Sequence, residues 1–425
     1  DGLPHFAPKA KRVIFLCMRG GPSHVDTFDH KPQLAVDTGK PAPKQKSRKL
    51  MKSPWSFKQH GQSGQWISEL FPGVARHADD LCILNGMHAD VPSHPECFVQ
   101  LHTGSFQFVR PSMGAWVLYG LGSENSNLPG FITLNPPSRV GGAQNYGSSF
   151  LPAVYQGTPI GHGGVNVEDL SEPIEHLKNR RLTSDQQRFE LDMLQQMNRR
   201  SALRRPYDPE VETRIQAFEL AFRMQAEAPE AFDITKESAP TKQLYGLDGE
   251  ETREFGWQCL IARRLAERGV RFIQASHEYR PGNEVGWDAH SELIRLHTRT
   301  ARQVDVPIAG LLKDLKSRGL LNDTLVVWGG EFGRTPVAQD GDGRDHNPYG
   351  YTMWMAGGGV KGGMAYGATD EFGYYAVQDR MHIHDLHATI LHLLGLDHEK
   401  LTYFHGGRNF RLTDVAGNVA HKIMT

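Results

Sequence analysis

The chain has 425 residues, enough for one large α/β domain or two ordinary ones, and its 47 basic and 48 acidic residues nearly balance. That balance argues against a nucleic-acid or anionic-membrane partner, so local basic residues would have to hold a small anionic substrate. No run approaches the roughly 20 apolar residues of a membrane helix. The four cysteines are scattered without CxxC spacing, which excludes a zinc ribbon, and Cys17 and Cys82 are expected to be buried thiols.

Apolar runs and helical patterns alternate along the chain. Strands are predicted at 12–18, 81–87, 271–275, 325–328 and 351–356, and helices at 96–102, 290–317 and 385–394. Between 168 and 236 the composition shifts to Glu, Gln, Arg and Leu, which predicts a pair of long helices inserted over one face of the sheet. The alternation favours a doubly wound, mostly parallel α/β sheet in a single domain spanning 1–425.

The first strand leads into a loop that carries several polar candidates. We interpret His24 and Asp26 as metal ligands, with His24 as an acid–base group in the alternative. Arg19, at the end of the strand, is a candidate clamp for an anionic group. Ser23 is an alternative nucleophile, but its flanking residues do not match the GxSxG elbow.

A second candidate motif, Ser93-His94-Pro95, follows the second strand. Pro95 suits the first turn of a helix, and a helix N-terminus favours negative charge. This position suits a nucleophile that carries a phosphoryl or sulfuryl group, and either Ser93 or His94 could play that part. The alternative is a loop histidine that binds metal or caps the helix.

A carboxylate–imidazole pair, Asp288 and His290, opens the long helix predicted at 290–317. Side chains two residues apart in a loop or first helical turn can reach one ion, and an oxygen with a nitrogen suits zinc, manganese or iron. The alternative is that Asp288 only caps the helix. His277, directly after the strand at 271–275, is a further candidate.

Two more groups follow the strand at 325–328. Glu331 directly after a buried strand needs a partner, which is either Arg334 or a metal ion. Arg334 in turn could form an ordinary ion pair or bind an anionic substrate. Asp345 and His346 lie in a Gly/Asp-rich loop that lacks the EF-hand ligand pattern, and we interpret them as metal ligands.

Several of these motifs occur together, in the same order, in a known bacterial family. The segments that carry the resemblance are 20–29, 101–105, 286–290, 331–336 and 344–346. In this respect the sequence resembles the family catalogued as domain of unknown function 1501, which is placed in the alkaline phosphatase/sulfatase-like superfamily. The resemblance spans about residues 13–413.

The resemblance implies a doubly wound α/β sheet, bound divalent metal and in-line transfer of a phosphoryl or sulfuryl group through a covalent intermediate. In the sulfatases of that superfamily a formylglycine precursor stands nine residues before a Thr-Gly pair; counting back from Thr103 reaches His94, beside Ser93. The CxPSR maturation motif is absent, which disfavours a formylglycine enzyme. The first strand ends in Arg19 where relatives have carboxylates, so compared with the family pattern we expect a rebuilt metal site.

We therefore expect a metal-dependent hydrolase that cleaves a sulfate ester without formylglycine, and the family analogy points to a carbohydrate ester. One or two ions of zinc, manganese or calcium would be held by His24, Asp26, Asp288, His290, Glu331, Asp345 and His346. The expected catalytic groups are His94 or Ser93 as nucleophile, Arg19 and Arg334 on the non-bridging oxygens, and His277 or His102 as leaving-group acid.

Two alternatives remain open at this stage: a phosphatase or phosphodiesterase at the same site, and a metal-stabilised binding protein without catalysis. The chain begins at Asp1 without a methionine, which we interpret as a trimmed chain whose targeting segment is not visible. The family resemblance leads us to expect a periplasmic or secreted protein.

Overall fold

The structure, a computed structural model, describes residues 3–43, 45–161, 177, 181–204, 209–277 and 286–425. The strands are β1 (Arg12–Met18), β2 (Phe57–His60), β3 (Gln65–Ser68), β4 (Leu81–His88), β5 (Phe131–Leu134), β6 (Thr158–Ile160), β7 (Phe272–His277), β8 (Thr324–Gly329), β9 (Gly333–Arg334), β10 (His346–Asn347), β11 (Tyr351–Ala356), β12 (Met364–Tyr366), β13 (Ala368–Thr369), β14 (Ala376–Gln378), β15 (Met381–His382), β16 (Tyr403–His405) and β17 (Arg408–Phe410). The helices are α1 (His24–Thr27), α2 (Pro32–Val36), α3 (His94–Thr103), α4 (Met113–Leu121), α5 (Ser184–Arg204), α6 (Pro209–Phe232), α7 (Ala239–Leu244), α8 (Arg253–Glu267), α9 (Leu293–Ser317) and α10 (Ile383–Leu393).

A nine-stranded sheet organises the fold, in the order β12-β4-β11-β8-β1-β7-β5-β6, with β15 beside β4. β1 lies at its centre and pairs in parallel with β7 and β8, and β5 pairs in parallel with β6 and β7. Only β11 runs against its neighbours, β4 and β8. The predicted doubly wound α/β architecture is confirmed, and its sheet is mixed but mostly parallel.

The two faces of the sheet each have their own hydrophobic core. In β1, Ile14 and Leu16 point into a core built with α8 and α9, and Phe15 and Cys17 point into the opposite core with α3, α4 and α10. Successive side chains of a strand alternate between faces, so a strand covered on both sides must be apolar throughout. This is why β1 reads as one unbroken apolar run.

All the predicted strands and helices are present. β1 and β11 have the predicted bounds, whereas three helices begin at other residues than predicted. The helix predicted at 96–102 begins at His94, because Pro95 fits the first helical turn. The helix predicted from 290 begins at Leu293, since 286–292 forms the loop before it. The late helix begins at Ile383, where the side chain of Asp385 closes a capping box on the backbone of His382.

Helices α5 and α6 occupy the segment in which a pair of long helices was predicted. The C-terminal half of α6 joins the core on the α8–α9 side of the sheet through Met224, Ala228 and Phe232. Residues 168–176, 178–180 and 205–208 of the predicted insertion lie outside the described residues. Helices α4 and α8, both of which pack on the sheet, were not predicted from the sequence.

The four cysteines are buried and free, as predicted for Cys17 and Cys82. Within the part of the chain that the structure describes, no helix combines the length and the apolar character needed to cross a membrane.

Candidate metal centre

The C-terminal ends of the parallel strands meet at one edge of the sheet, where loops gather polar side chains. Four of them converge, with ligand atoms that all lie within 4.8 Å of one another: His94, Asp288, His290 and His346. We call them the His3Asp cluster. His94 is the first residue of α3, Asp288 and His290 precede α9, and His346 lies on β10. The cluster thus joins three segments that are distant in sequence.

The contacts inside the cluster centre on one carboxylate oxygen. Asp288 Oδ1 lies 3.1 Å from His94 Nε2, 3.0 Å from His290 Nε2 and 3.3 Å from His346 Nε2. The Nε2 atoms of His290 and His346 are 2.9 Å apart. Lone pairs this close repel one another unless a proton or a cation lies between them.

Each imidazole of the cluster is held from behind through its Nδ1 atom. His94 Nδ1 lies 2.6 Å from Glu331 Oε1, and His346 Nδ1 lies 2.5 Å from the carbonyl oxygen of Pro92. His290 Nδ1 lies 2.8 Å from Gln339 Oε1. All three oxygens are hydrogen-bond acceptors, so each Nδ1 carries the proton. In the neutral ring, Nε2 then has a lone pair, which points to the centre of the cluster.

The pKa shifts of the cluster follow from these contacts. Burial disfavours the charged form of His94, but hydrogen bonds to Asp288 and Glu331 raise its pKa above the ordinary value. The pKa of His290 is also raised, chiefly by its bond to Asp288. Burial would raise the pKa of Asp288, but the hydrogen bonds that the imidazoles donate through Nε2 when they are protonated, together with the charge of Arg334, hold it far below the ordinary range. The carboxylate is therefore ionised and attracts a cation.

Glu331, predicted as a ligand, lies one hydrogen bond outside the cluster. Its carboxylate is fully buried and accepts the His94 imidazole and the backbone N–H of Gly20, the latter at 3.1 and 3.3 Å. Burial alone would raise its pKa, but the bond and charge of His94 lower it, so the group is ionised. Its contact orients His94.

Arg334 supports Asp288 rather than standing free for a substrate. Its Nη2 atom donates to Asp288 Oδ1 at 2.6 Å and to the carbonyl of Gly20. Its Nε and Nη1 atoms donate to the carbonyls of Gly21 and Arg344, at 3.0 and 3.2 Å. These bonds use four of its five N–H groups, so at most one remains for an anion.

The structure does not bring His24 and Asp26 to the cluster. His24 Nε2 lies 2.7 Å from the carbonyl oxygen of Gly373, and burial lowers the pKa of the ring. Asp26 is fully buried and accepts two bonds from Arg344, at 2.7 and 3.1 Å. Asp26, predicted as a metal ligand, therefore forms a buried ion pair with Arg344 instead. Arg344, which supplies the guanidinium of this pair, was not predicted as the partner of Asp26.

Asp345 lies at the rim of the cluster. One of its oxygens is 4.0 Å from His290 Nδ1, and the other pairs with Arg48 at 2.9 Å. The side chains of both residues are 35% exposed, so solvent reaches this edge of the site.

Ser93, His277 and His102, predicted as alternative nucleophile and leaving-group acids, are bonded to groups outside the cluster. Ser93, directly before α3, donates its hydroxyl to the carboxylate of Glu96 in the first turn of that helix. His277 accepts the Trp287 indole N–H at 3.2 Å and bonds Gln303, and burial lowers its pKa to about 4. Burial lowers the pKa of His102 to about 4 as well, with Nδ1 on the Phe98 carbonyl at 2.8 Å. Neither ring bonds a member of the cluster among the described residues.

Arg19 lies at the edge of the site. Its side chain is half-buried, and it directly precedes Gly20, whose N–H binds Glu331. Gln339 and Pro92, whose oxygens accept hydrogen bonds from Nδ1 of His290 and His346, were not predicted as parts of the site. A glutamine side chain and a backbone carbonyl carry no motif that marks them as partners of an imidazole.

Comparison with solved structures gives weak overall likeness. The lipoteichoic acid synthase LtaP from Listeria monocytogenes is 10% identical with a TM-score of 0.44, covering 96% of this chain and 76% of that chain. The PsFucS1 sulfatase from Pseudoalteromonas sp. is 13% identical with a TM-score of 0.39, covering 92% and 68%. The periplasmic domain of EcEptC from Escherichia coli, in complex with Zn, is 10% identical with a TM-score of 0.39, covering 97% and 96%.

A search of curated proteins found no match. A family model matches residues 10–424, almost the whole sequence. The chain belongs to the family described as protein of unknown function, DUF1501.

Proposed function

We propose that this protein is a metal-dependent hydrolase of anionic esters, with a sulfate ester preferred, within the alkaline phosphatase/sulfatase-like superfamily. The observation that carries the proposal is the convergence of three imidazole Nε2 atoms on Asp288 Oδ1, while each Nδ1 is bonded outward. Outward-bonded imidazoles beside a carboxylate are the usual arrangement of a metal site with its supporting shell.

The residues present fit a divalent cation. His94 Nε2 is buried and no hydrogen-bond donor of the described residues faces it. A metal cation could accept its lone pair. Three nitrogens and one carboxylate oxygen suit zinc, and also manganese or iron, whereas calcium takes six to eight oxygens. Calcium, one of the ions expected from the sequence, therefore fits this donor set poorly.

A bound cation would polarise the ester and lower the pKa of water in the site. The chain supplies the orientation: Glu331, Gln339 and the Pro92 carbonyl hold the three rings, and Arg334 holds Asp288. Arg19, at the strand end, is our candidate for binding a non-bridging oxygen of the substrate. Hydrolysis then adds water across the ester and releases an alcohol and the inorganic anion.

The charge of the site suits an anionic ester. A divalent ion, Arg334 and Arg19 would bring four positive charges, and ionised Asp288 and Glu331 bring two negative charges. The remaining two positive charges can balance a sulfate monoester, with one negative charge, or a phosphate monoester, with about −1.5 to −2 near pH 7. The preference for sulfate therefore rests on the family analogy, and the comparison of aryl sulfate with aryl phosphate turnover tests it.

His94 has two candidate roles that exclude each other. Transfer through a covalent intermediate, as expected from the sequence, needs a free Nε2 atom for attack on the ester. That atom faces Asp288 at 3.1 Å beside the other two Nε2 atoms, and this geometry favours His94 as a ligand. Ser93, engaged with Glu96, is a poorer nucleophile.

The first experiment is metal analysis by mass spectrometry on protein purified without added metal, with aryl sulfate and aryl phosphate turnover before and after chelation. We expect one equivalent of a transition metal and chelator-sensitive turnover that favours the sulfate. Absence of metal, and no turnover of either ester after metal is restored, would refute the hydrolase. Bound metal without turnover of any ester would leave a metal-stabilised binding protein.

Variants of the cluster distinguish the roles of its members. His290→Ala and His346→Ala are expected to lose the metal, and so is His94→Ala if His94 is a ligand. A His94→Ala protein that keeps its metal but loses turnover would instead support the nucleophile. His60→Ala, on the hairpin strand β2, is the matched control and is expected to change neither quantity.

A further inference from the structure

A separate cavity of about 180 Å³ is lined by Asp90, in the loop after β4, and by residues at the end of α3. It opens between the end of α3, the loop that follows it, and the C-terminal segment around β17. Its lining includes Asp90 and Gln100, as well as Arg110 and the rings of Phe150 and Phe410. No residue of the cluster lines it, so the cavity is a distinct feature.

Two arginine side chains beside the cavity pack against the same aromatic ring, that of Phe410. The Arg110 guanidinium lies 4.4 Å from the centre of the Phe410 ring, and the Arg408 guanidinium lies 3.9 Å from it. Arg408 is paired with Asp414 at 3.6 Å, and Arg411 with Glu399 at 3.2 Å. Over the described residues, Arg110 has no acidic partner within ion-pair distance.

This arrangement favours an anion in the cavity. Burial and the nearby charge of Arg408 lower the pKa of Arg110, and the charge of Asp414, on the cavity wall, opposes them in part. A guanidinium beside a like charge, without a carboxylate at ion-pair distance, gains from a carboxylate or sulfate that it can bind bidentately.

The remaining lining suits a sugar ring better than a bare ion. Phe108, 60% exposed, and Phe150 present flat apolar surfaces beside the cavity, and Ser105 and Gln107 add hydrogen-bonding groups at its wall. A pyranose has an apolar face and a rim of hydroxyls, which matches a lining of rings and a few polar groups.

The cavity and the cluster are joined by α3 and by the loop before it. His94 begins α3, and Gln100 and Thr103 on later turns line the cavity, which at about 1.5 Å per residue separates the two sites by about 9–14 Å. Asp90 lines the cavity two residues before Pro92, whose carbonyl binds His346. One oligomeric chain can therefore span both.

We propose that this cavity is a subsite for an anionic sugar unit, bearing a carboxylate or a sulfate, of the same oligosaccharide whose ester reaches the His3Asp cluster. Arg110 binds the charged group and Phe108 with Phe150 contacts the ring. The link to an ester rests on the proposed function, but binding of the sugar in the cavity does not.

The test is calorimetric titration of chelator-treated, metal-free protein with a heparin-derived tetrasaccharide, with uncharged maltotetraose and sodium sulfate as comparison ligands. We expect the tetrasaccharide to bind more tightly than either comparison, and Arg110→Ala to weaken it at least tenfold. Phe108→Ala, at an exposed position, is expected to weaken it severalfold without affecting folding. Arg302→Ala, on α9 over the opposite core, is the matched control with unchanged affinity.

Three outcomes would overturn the inference: equal affinity of Arg110→Ala and the unchanged protein, equal affinity for sodium sulfate and the tetrasaccharide, or equal affinity for maltotetraose. Because the titration uses metal-free protein, its result is independent of turnover. An active hydrolase with unaltered tetrasaccharide binding in Arg110→Ala would sink the subsite alone. Arg110-dependent binding by a protein without esterase activity would sink the proposed function alone.

Discussion

Replacing Glu331 by glutamine removes one negative charge from the support of the His3Asp cluster and keeps the shape of the side chain. In the structure Oε1 of Glu331 accepts from His94 Nδ1 at 2.6 Å and from the Gly20 N–H at 3.1 Å. A glutamine oxygen in the same place can accept both bonds. The change therefore removes the charge that Glu331 places behind the His94 imidazole and keeps their hydrogen bond, while the 3.3 Å contact between the Gly20 N–H and Oε2 is lost.

The expected loss follows from the bond that changes. A hydrogen bond to a charged partner contributes about 1.5–3 kcal/mol, and a neutral one about 0.5–1.5 kcal/mol. Outer partners of metal-binding imidazoles typically alter metal affinity 10–100-fold, or about 1.4–2.8 kcal/mol. Replacing the charged bond by a neutral one corresponds to about 1–1.5 kcal/mol, or about 5–13-fold, and the second figure to 10–100-fold, so we expect the metal affinity of Glu331→Gln to be about tenfold weaker.

The assay is competition between the protein and a chromogenic chelator for zinc, with thermal unfolding recorded on the same samples to verify the fold. Gln339→Glu is the reciprocal variant, because it places a carboxylate behind His290, and we expect it to bind zinc more tightly. A Glu331→Gln protein that folds normally and binds zinc within twofold of the unchanged chain would refute the reasoning.

Other outcomes follow from the same contacts. Removing the metal should lower the melting temperature, because a ligand at 100 times its Kd adds about 2.7 kcal/mol of stability, and differential scanning fluorimetry with and without chelator measures this. Asp26→Asn should lower the free energy of unfolding by about 3–5 kcal/mol in urea titrations, because it leaves the buried guanidinium of Arg344 uncompensated; a loss below 1 kcal/mol would contradict that. Arg344 holds the pKa of Asp26 below its ordinary value despite burial, so this stability should be present above about pH 4 and be lost as the pH falls further. Arg334→Lys should reduce turnover through misplacement of Asp288, and an unchanged kcat would argue against that positioning role.

Much of the fold can be predicted from the sequence because local patterns carry it. The apolar runs of β1, β4, β7, β8 and β11 mark buried strands, and their alternation with helices marks the α/β class. The N-terminal ends of α3, α9 and α10 depend on caps and loops and lie two to three residues from the predicted positions, whereas their C-terminal ends lie within one residue of them. The run at β11 could not reveal its antiparallel direction, since a strand covered on both faces has the same composition in either direction.

The sequence by itself also determined where the carboxylates and imidazoles of the site would be found, because they follow strands that end at one edge of the sheet. Only the tertiary structure decided which of them meet. His94, Asp288, His290 and His346 converge, whereas Asp26 is taken by Arg344, 318 positions away, and His24 by the carbonyl of Gly373, 349 positions away. A buried polar group needs a partner, and when that partner is hundreds of residues distant no local pattern can name it.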